Sequence, residues 1–201
     1  MIAAIILAAG RSSRFRAAGG EEASKLVAEF QGRAIVRRVA EAALGSRARP
    51  VIVVAGHARE EVEASLAGLP LTFAFNPDFA TGLASSLKTG LAAAQDAAGA
   101  VVLLGDMPKI RSGTIDGLID AFERNPAALA VAPIYAGQRG NPALLSRALF
   151  SRVKNLEGDE GARRILAAAD PGGIVELPFA DDSVTLDIDT PEDLNAARNL
   201  L

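Results

Sequence analysis

The chain predicts an α/β fold built on a mostly parallel sheet, and three observations carry that prediction. Short apolar runs alternate with longer segments whose apolar residues recur at helical spacing. Half of the 201 residues are hydrophobic and 22% are charged, which is apolar material for one sizeable core. The first apolar run passes directly into a loop of small residues and arginines, and open α/β sheets bind ligands just beyond the carboxyl ends of their strands.

The elements follow in order. Ile2–Leu7 is uninterruptedly apolar, as a strand buried on both faces must be. It is short and lacks a preceding basic region, so it reads as a core strand and not as a signal peptide. Ala34–Leu44 sets apolar residues at helical spacing with charges opposite, Val51–Val54 is the next strand, and Arg59–Ala67 the next amphipathic helix. Leu71–Phe75, Ser86–Ala97, Ala100–Leu104, Thr114–Arg124 and Leu129–Ala132 continue the strand and helix alternation, with Ala100–Leu104 hydrophobic enough to be central. Ser146–Lys154 and Gly161–Ala169 predict helices, and Ile174–Leu177 and Val184–Leu186 predict strands. Pro191–Leu200 predicts a last helix, with Thr190 as N-cap, Pro191 at its first position and Glu192 and Asp193 in its first turn. The most linker-like stretch, Ala136–Asn141, is too short to separate domains, so residues 1–201 are expected to form one.

Composition excludes several functions. A net charge of −3 argues against a nucleic-acid binder working by broad phosphate neutralisation. No segment approaches the ~18 consecutive apolar residues of a membrane span. The absence of cysteine excludes disulfides and thiolate metal sites. A cytoplasmic protein is expected.

The strand-end rule collects the loop from Ala8 to Lys25, Ala55-Gly56-His57, Asn76-Pro77, Gly105 to Pro108 and Asp187-Ile188-Asp189 around one crevice. In the first loop Ala8, Ala9 and Gly10 carry almost no side chain, so a polyphosphate can approach the main chain and collect N–H donors. Arg14 adds a charge-assisted fork. The spacing is neither that of a P-loop nor the Gly-x-Gly-x-x-Gly of a dinucleotide fold, and an ordinary strand-to-loop turn is the alternative. Asp106, following a strand hydrophobic enough to be central, suits a Mg²⁺ ion held by one or two carboxylates and substrate phosphates, or else caps the following turn. Asp187 and Asp189 either complete that metal site or cap the last helix. His57, the one histidine, reads as a loop residue at a helix start. Ser12 and Ser13 have no identifiable base partner for nucleophilic catalysis.

Six segments together resemble a known family. Leu7 to Arg14 followed by a lysine, Asn76 to Gly82 leading to Ser85-Ser86-Leu87, Leu104 to Pro108, Gly140-Asn141-Pro142, Gly158 to Arg163 and Asp187 to Asp193 are similar, in order, to the nucleotidyltransferases of molybdenum cofactor maturation. The similarity is greatest to the molybdenum cofactor cytidylyltransferase branch, to which the Ala8-Ala9-Gly10 form leans. The resemblance implies a Rossmann-like three-layer α/β/α nucleotidyltransferase fold. It implies Mg²⁺-dependent transfer of CMP from CTP to the terminal phosphate of molybdopterin, with release of pyrophosphate. It also implies the roles. Leu7, Ala8, Ala9, Gly10, Arg14 and Lys25 would hold the nucleotide with Gly56, Asn76, Gly82 and Ser86 framing base and ribose, and Arg14, Lys25 and Asp106 would be the catalytic set. Asp106 with Asp187, or alternatively Asp189, would hold the metal. Asn141, Asp159 and Arg163 would line the acceptor side.

Other readings stay open: GTP in place of CTP, a sugar-phosphate or alditol-phosphate acceptor, or a non-catalytic carrier delivering molybdenum cofactor to a molybdoenzyme recipient. A phosphate acceptor is largely dianionic at pH 7, with a second pKa near ~6, and needs no general base, which fits a chain poor in histidine. One departure stands out. The family's lysine lies closer to the motif arginine, whereas Lys25 stands 11 residues after Arg14. Either the longer loop folds back to present Lys25, at little cost in closure entropy, or Arg16 supplies the charge.

Overall fold

The computed structural model describes residues 1–168 and 171–199. Its centre is a sheet formed by β1 (Ile2–Ala8), β4 (Val51–Ala55), β5 (Thr72–Phe75), β6 (Gly99–Leu104), β7 (Ala130–Tyr135), β9 (Ala143–Ser146) and β10 (Ile174–Pro178), with the short β8 (Gln138–Arg139) paired to β7. The order across it is β10-β7-β9-β6-β1-β4-β5. Every neighbouring pair among β5, β4, β1 and β6 is parallel, as is β7 with β10, while β9 runs antiparallel between β6 and β7. A separate hairpin joins β2 (Glu29–Phe30) to β3 (Arg33–Ala34).

Both faces of the sheet are covered, which makes three layers. Ala4, Ile6 and Ala8 of β1 pack with residues of α2 (Ile35–Gly45), α3 (Arg59–Ser65) and α5 (Ser112–Arg124). Ala3, Ile5 and Leu7 face α4 (Leu83–Ala93), α6 (Ala162–Ala167) and the 3₁₀ segment Arg147–Asn155. The period of two along a strand with two buried faces is why β1 contains no polar residue. Helix α4 lies so close to β1 that a Cβ on Gly90 would sit 2.4 Å from Ile5 Cγ2. In α2 the buried Ile35, Val36, Val39, Ala40 and Ala43 recur at helical spacing, and full burial of each Val or Ile side chain is worth about 1.5–3 kcal/mol. A third cluster joins Phe15, Ala28, Phe30 and Ile35 to Ile188, Leu194 and Ala197, docking α7 (Pro191–Asn199) and the short α1 (Ser13–Ala17) beside the hairpin.

Beyond the short α1, the β2–β3 hairpin and β8, none of which was expected, the structure departs from the expected elements in three places. Val184–Leu186 is not a strand: a 3₁₀ turn covers Asp182–Val184, and Val184 is buried at 0% exposure while its carbonyl accepts the Asn141 N–H at 2.7 Å. The residue is apolar because a loop packs there, not because a ladder does. Ser146–Lys154 gives the 3₁₀ segment in place of an α-helix, with Leu149 and Val153 buried. Strand β9, four buried residues between a proline and that segment, has no counterpart among the expected elements. Ala169 and Leu200, the predicted ends of two helices, lie outside the described residues.

Candidate active site

Strands β1 and β6 deliver their carboxyl ends to one crevice, and the loop after β4 packs behind it. The loop after β1 begins at Ala9, whose carbonyl accepts the His57 N–H at 3.3 Å. Gly56 stands behind it, where a Cβ would fall 2.6 Å from Ala9 Cβ and 2.7 Å from Phe79 Cβ. Only glycine lets the two loops touch. A Cβ on Gly10, by contrast, would meet nothing within 4 Å, so that backbone is open to a ligand. Ser12 then turns into the left-handed region at φ 51°. The long segment that follows does fold back: Phe15 is buried, the Gly20 N–H donates to the Phe15 carbonyl at 3.0 Å, and Lys25 enters the crevice. Arg16 is exposed and donates to the Arg11 carbonyl at 3.3 Å, away from the acids.

Lys25 Nζ lies 2.6 Å from Asp106 Oδ2 and 2.8 Å from Asp189 Oδ1, and Arg14 pairs with the other Asp189 oxygen. Asp106 follows β6, and its carbonyl accepts the Ile188 N–H at 3.0 Å, which draws Asp187 and Asp189 alongside. One carboxylate oxygen from each of Asp106, Asp187 and Asp189 lies within 4.8 Å of the others. Partial loss of hydration, reinforced by the negative charge of Asp106 and Asp189, pushes the Asp187 carboxyl above its ordinary value although the residue keeps an exposed face. Burial alone would lower Lys25, but Asp106 and Asp189 outweigh it and hold its ammonium above the usual lysine range.

This oxygen-only set fits a hard divalent cation such as Mg²⁺ or Mn²⁺. The observation favouring it is that Asp106 Oδ1 is buried and makes no hydrogen bond. Such an orphaned acceptor costs about 1–3 kcal/mol or more, and a cation would satisfy it. Asp187 forms no ion pair among the described residues, whereas both oxygens of Asp189 are engaged by cations, so Asp187 is the freer partner for Asp106.

A cleft of about 420 Å³ opens over this cluster. Of the expected nucleotide residues, Leu7, Ala9, Gly10, Arg14, Lys25, Gly82, Ser86 and Asp106 line it. Three do not. Ala8 closes β1 within the core, Gly56 packs behind Ala9, and Asn76 is buried with its amide donating to Ser85 Oγ at 2.8 Å and Ser86 Oγ at 3.0 Å. Asn76 Oδ1 also accepts the Asp78 N–H at 3.0 Å, so this side chain clamps the turn that leads into α4.

Asn141 and Arg163 line a second, smaller cavity of about 130 Å³ together with Met107 and Asp187. Asp159, expected beside them, lines the larger cleft instead. The carboxylate cluster thus forms a wall between two cavities, with Asp106 and Asp189 facing one and Asp187 the other. Residues that the sequence reading passed over also contribute. Phe79 and Leu83 floor the cleft, and Ser24 is 1% exposed in hydrogen bonds to Ser12 and to the Leu26 N–H.

A mostly parallel α/β sheet carrying a small-residue loop after its first strand, with one carboxylate just after β6 and two more drawn beside it, has the architecture of the nucleotidyltransferases. The chain matches the MobA-like NTP transferase domain over residues 4–172 and belongs to that family. It is 31% identical to the purine catabolism protein PucB of Bacillus subtilis over 211 aligned positions, covering 98% of this chain and 96% of PucB. It is 34% identical over 131 positions to the bifunctional protein GlmU of Syntrophotalea carbinolica, covering 65% of this chain but only 27% of GlmU, so it spans about a quarter of that relative's length. Among solved structures, Rv0371c of Mycobacterium tuberculosis superposes with a TM-score of 0.83 at 28% identity, covering 98% of this chain and 97% of that one. A complex of Rv0371c with manganese superposes with a TM-score of 0.81 at 26% identity, covering 100% and 99%.

Proposed function

We propose that this protein is a Mg²⁺-dependent nucleotidyltransferase that moves CMP from CTP to the terminal phosphate of a molybdopterin-type cofactor, releasing pyrophosphate. The observation that carries the reading is the Lys25, Asp106 and Asp189 cluster beside the open Gly10 backbone, with Asp106 Oδ1 buried and unpartnered. Family membership supports the reaction class, and the existence of a manganese complex of Rv0371c supports a divalent ion as cofactor.

The triphosphate lies along the Ala9 to Arg14 loop. The backbone N–H groups there and the guanidinium of Arg14 neutralise its oxygens, and Lys25 leaves its acid partners to meet phosphate. Asp106 with Asp187 would hold Mg²⁺, which would supply charge neutralisation for the phosphates. The acceptor phosphate enters from the cavity of Asn141 and Arg163. Its oxygen forms the new bond to the α-phosphorus as the bond to the β-phosphate oxygen breaks. No side chain removes a proton, because the phosphate monoester is already ionised, and catalysis comes from positioning and charge neutralisation.

The test is pyrophosphate release from purified protein with Mg²⁺, molybdopterin and each of CTP, GTP, ATP and UTP. Release with CTP is expected. Release with GTP alone transfers the reading to guanylyl transfer, and release only with a sugar-phosphate or alditol-phosphate acceptor replaces the cofactor. Cofactor binding without release under any condition makes the protein a carrier.

A further inference from the structure

We infer that Ser12 is a positioning residue, whose hydroxyl latches the phosphate loop to the backbone of Lys25 and so sets where the lysine ammonium stands. The proposal rests on the nucleotidyltransferase reading and adds a residue to it. Ser12 Oγ accepts the Lys25 N–H at 3.1 Å and lies 3.1 Å from Ser24 Oγ, which itself accepts the Leu26 N–H at 3.3 Å. Two hydroxyls therefore join the start of the long segment to its end, 13 residues later in sequence.

The segment needs such a latch. Between Arg14 and Lys25 its apolar anchor is Phe15, which is 1% exposed, and Glu21 and Ala23 are exposed. A Cβ on Gly20 would sit 2.2 Å from the Phe15 ring, so the return of the chain is pressed against that anchor. Phe15 fixes the segment's first part and Leu26 is buried just beyond its end, while the Ser12 and Ser24 pair ties the chain down at the lysine itself. Ser12 also holds a left-handed backbone at φ 51°, a conformation that costs a non-glycine residue of the order of 1 kcal/mol or more and that turns its hydroxyl side towards Lys25.

The experiment is a double-mutant cycle. Ser12→Ala, Lys25→Ala and the double variant are assayed for pyrophosphate release and for CTP binding by equilibrium dialysis, and amide hydrogen exchange is followed at Lys25 and Leu26. Ser12→Ala is expected to lower kcat/KM roughly tenfold, the scale of one hydrogen bond, and to speed exchange at Lys25. In the Lys25→Ala background the same change is expected to cost less than about twofold, because residues acting through one another are not additive. Additive losses would make Ser12 an independent phosphate contact and overturn the latch. Ser24→Ala is the second variant, expected to reproduce the faster exchange should Ser12→Ala fold poorly. If wild-type protein turns over no nucleotide, the functional reading falls by itself; unchanged exchange at Lys25 in both serine variants would then overturn the latch separately.

Discussion

At the scale of single residues the decisive atom is Asp106 Oδ1, buried without a partner while Oδ2 holds Lys25. Asp106→Asn keeps the shape and removes the charge a cation requires. It is expected to lower kcat/KM by about 10²–10³-fold, the size of losing one preorganised electrostatic contact, and to leave the melting temperature within about 4 °C of wild type. Retained turnover would remove Asp106 as the essential ligand. Lys25 and Arg16 separate as cleanly. Lys25 is in the cleft and Arg16 outside it, so Lys25→Ala is expected to cost at least about a hundredfold in kcat/KM by the same measure and Arg16→Ala less than about twofold. Steady-state pyrophosphate release decides it, and equal losses would return Arg16 to the triphosphate.

At the scale of elements, the site depends on loops that fit each other without spare volume. Gly82 leads into α4 at φ 113°, and a Cβ there would lie 2.2 Å from the Gly158 carbonyl, which accepts the Ala84 N–H at 3.0 Å. Gly82→Ala is expected to force this loop pair apart, destabilising the protein by about 1–3 kcal/mol and raising KM for the nucleotide more than it lowers kcat. Denaturant unfolding and initial rates check both; an unchanged KM would show that the pair does not shape the cleft. The same elements show what sequence reveals. Long runs with a single period, such as β1, α2 and α5, were legible because burial on two faces or on one stripe dictates their composition. Strand β9 was not, since three apolar residues and a serine after Pro142 carry no period of their own and pair only through distant β6 and β7. Val184–Leu186 misled for the converse reason, because a buried loop needs apolar side chains as much as a strand does.

At the scale of the whole molecule, the parallel strand order gathers residues from both ends of the chain into one site: Lys25 and Asp189, 164 positions apart, bond at 2.8 Å. Asp106 and the loop of Arg14 were readable because strand ends converge by topology. That Asp159 faces the larger cleft while Asn141 and Arg163 face the smaller cavity was not, since it depends on how the 3₁₀ segment and α6 pack. The three acids are balanced in the ligand-free fold by Lys25 and Arg14, leaving about one net negative charge among five groups. On the proposed function, metal is therefore expected not to hold the fold but only to complete the site for nucleotide. Chelation with EDTA is expected to abolish turnover while hardly moving the melting temperature, and Mg²⁺ to restore it. CTP with Mg²⁺ at about a hundred times its Kd should stabilise by about 2.7 kcal/mol, which for a chain of this size raises the melting temperature by roughly 5–10 °C. CTP without metal should give a clearly smaller shift, since Lys25 must then leave Asp106 and Asp189 with no cation to replace it. A large fall in melting temperature on chelation alone would mean that the carboxylates form a structural metal site, and the balance between Lys25 and the acids would have to be abandoned.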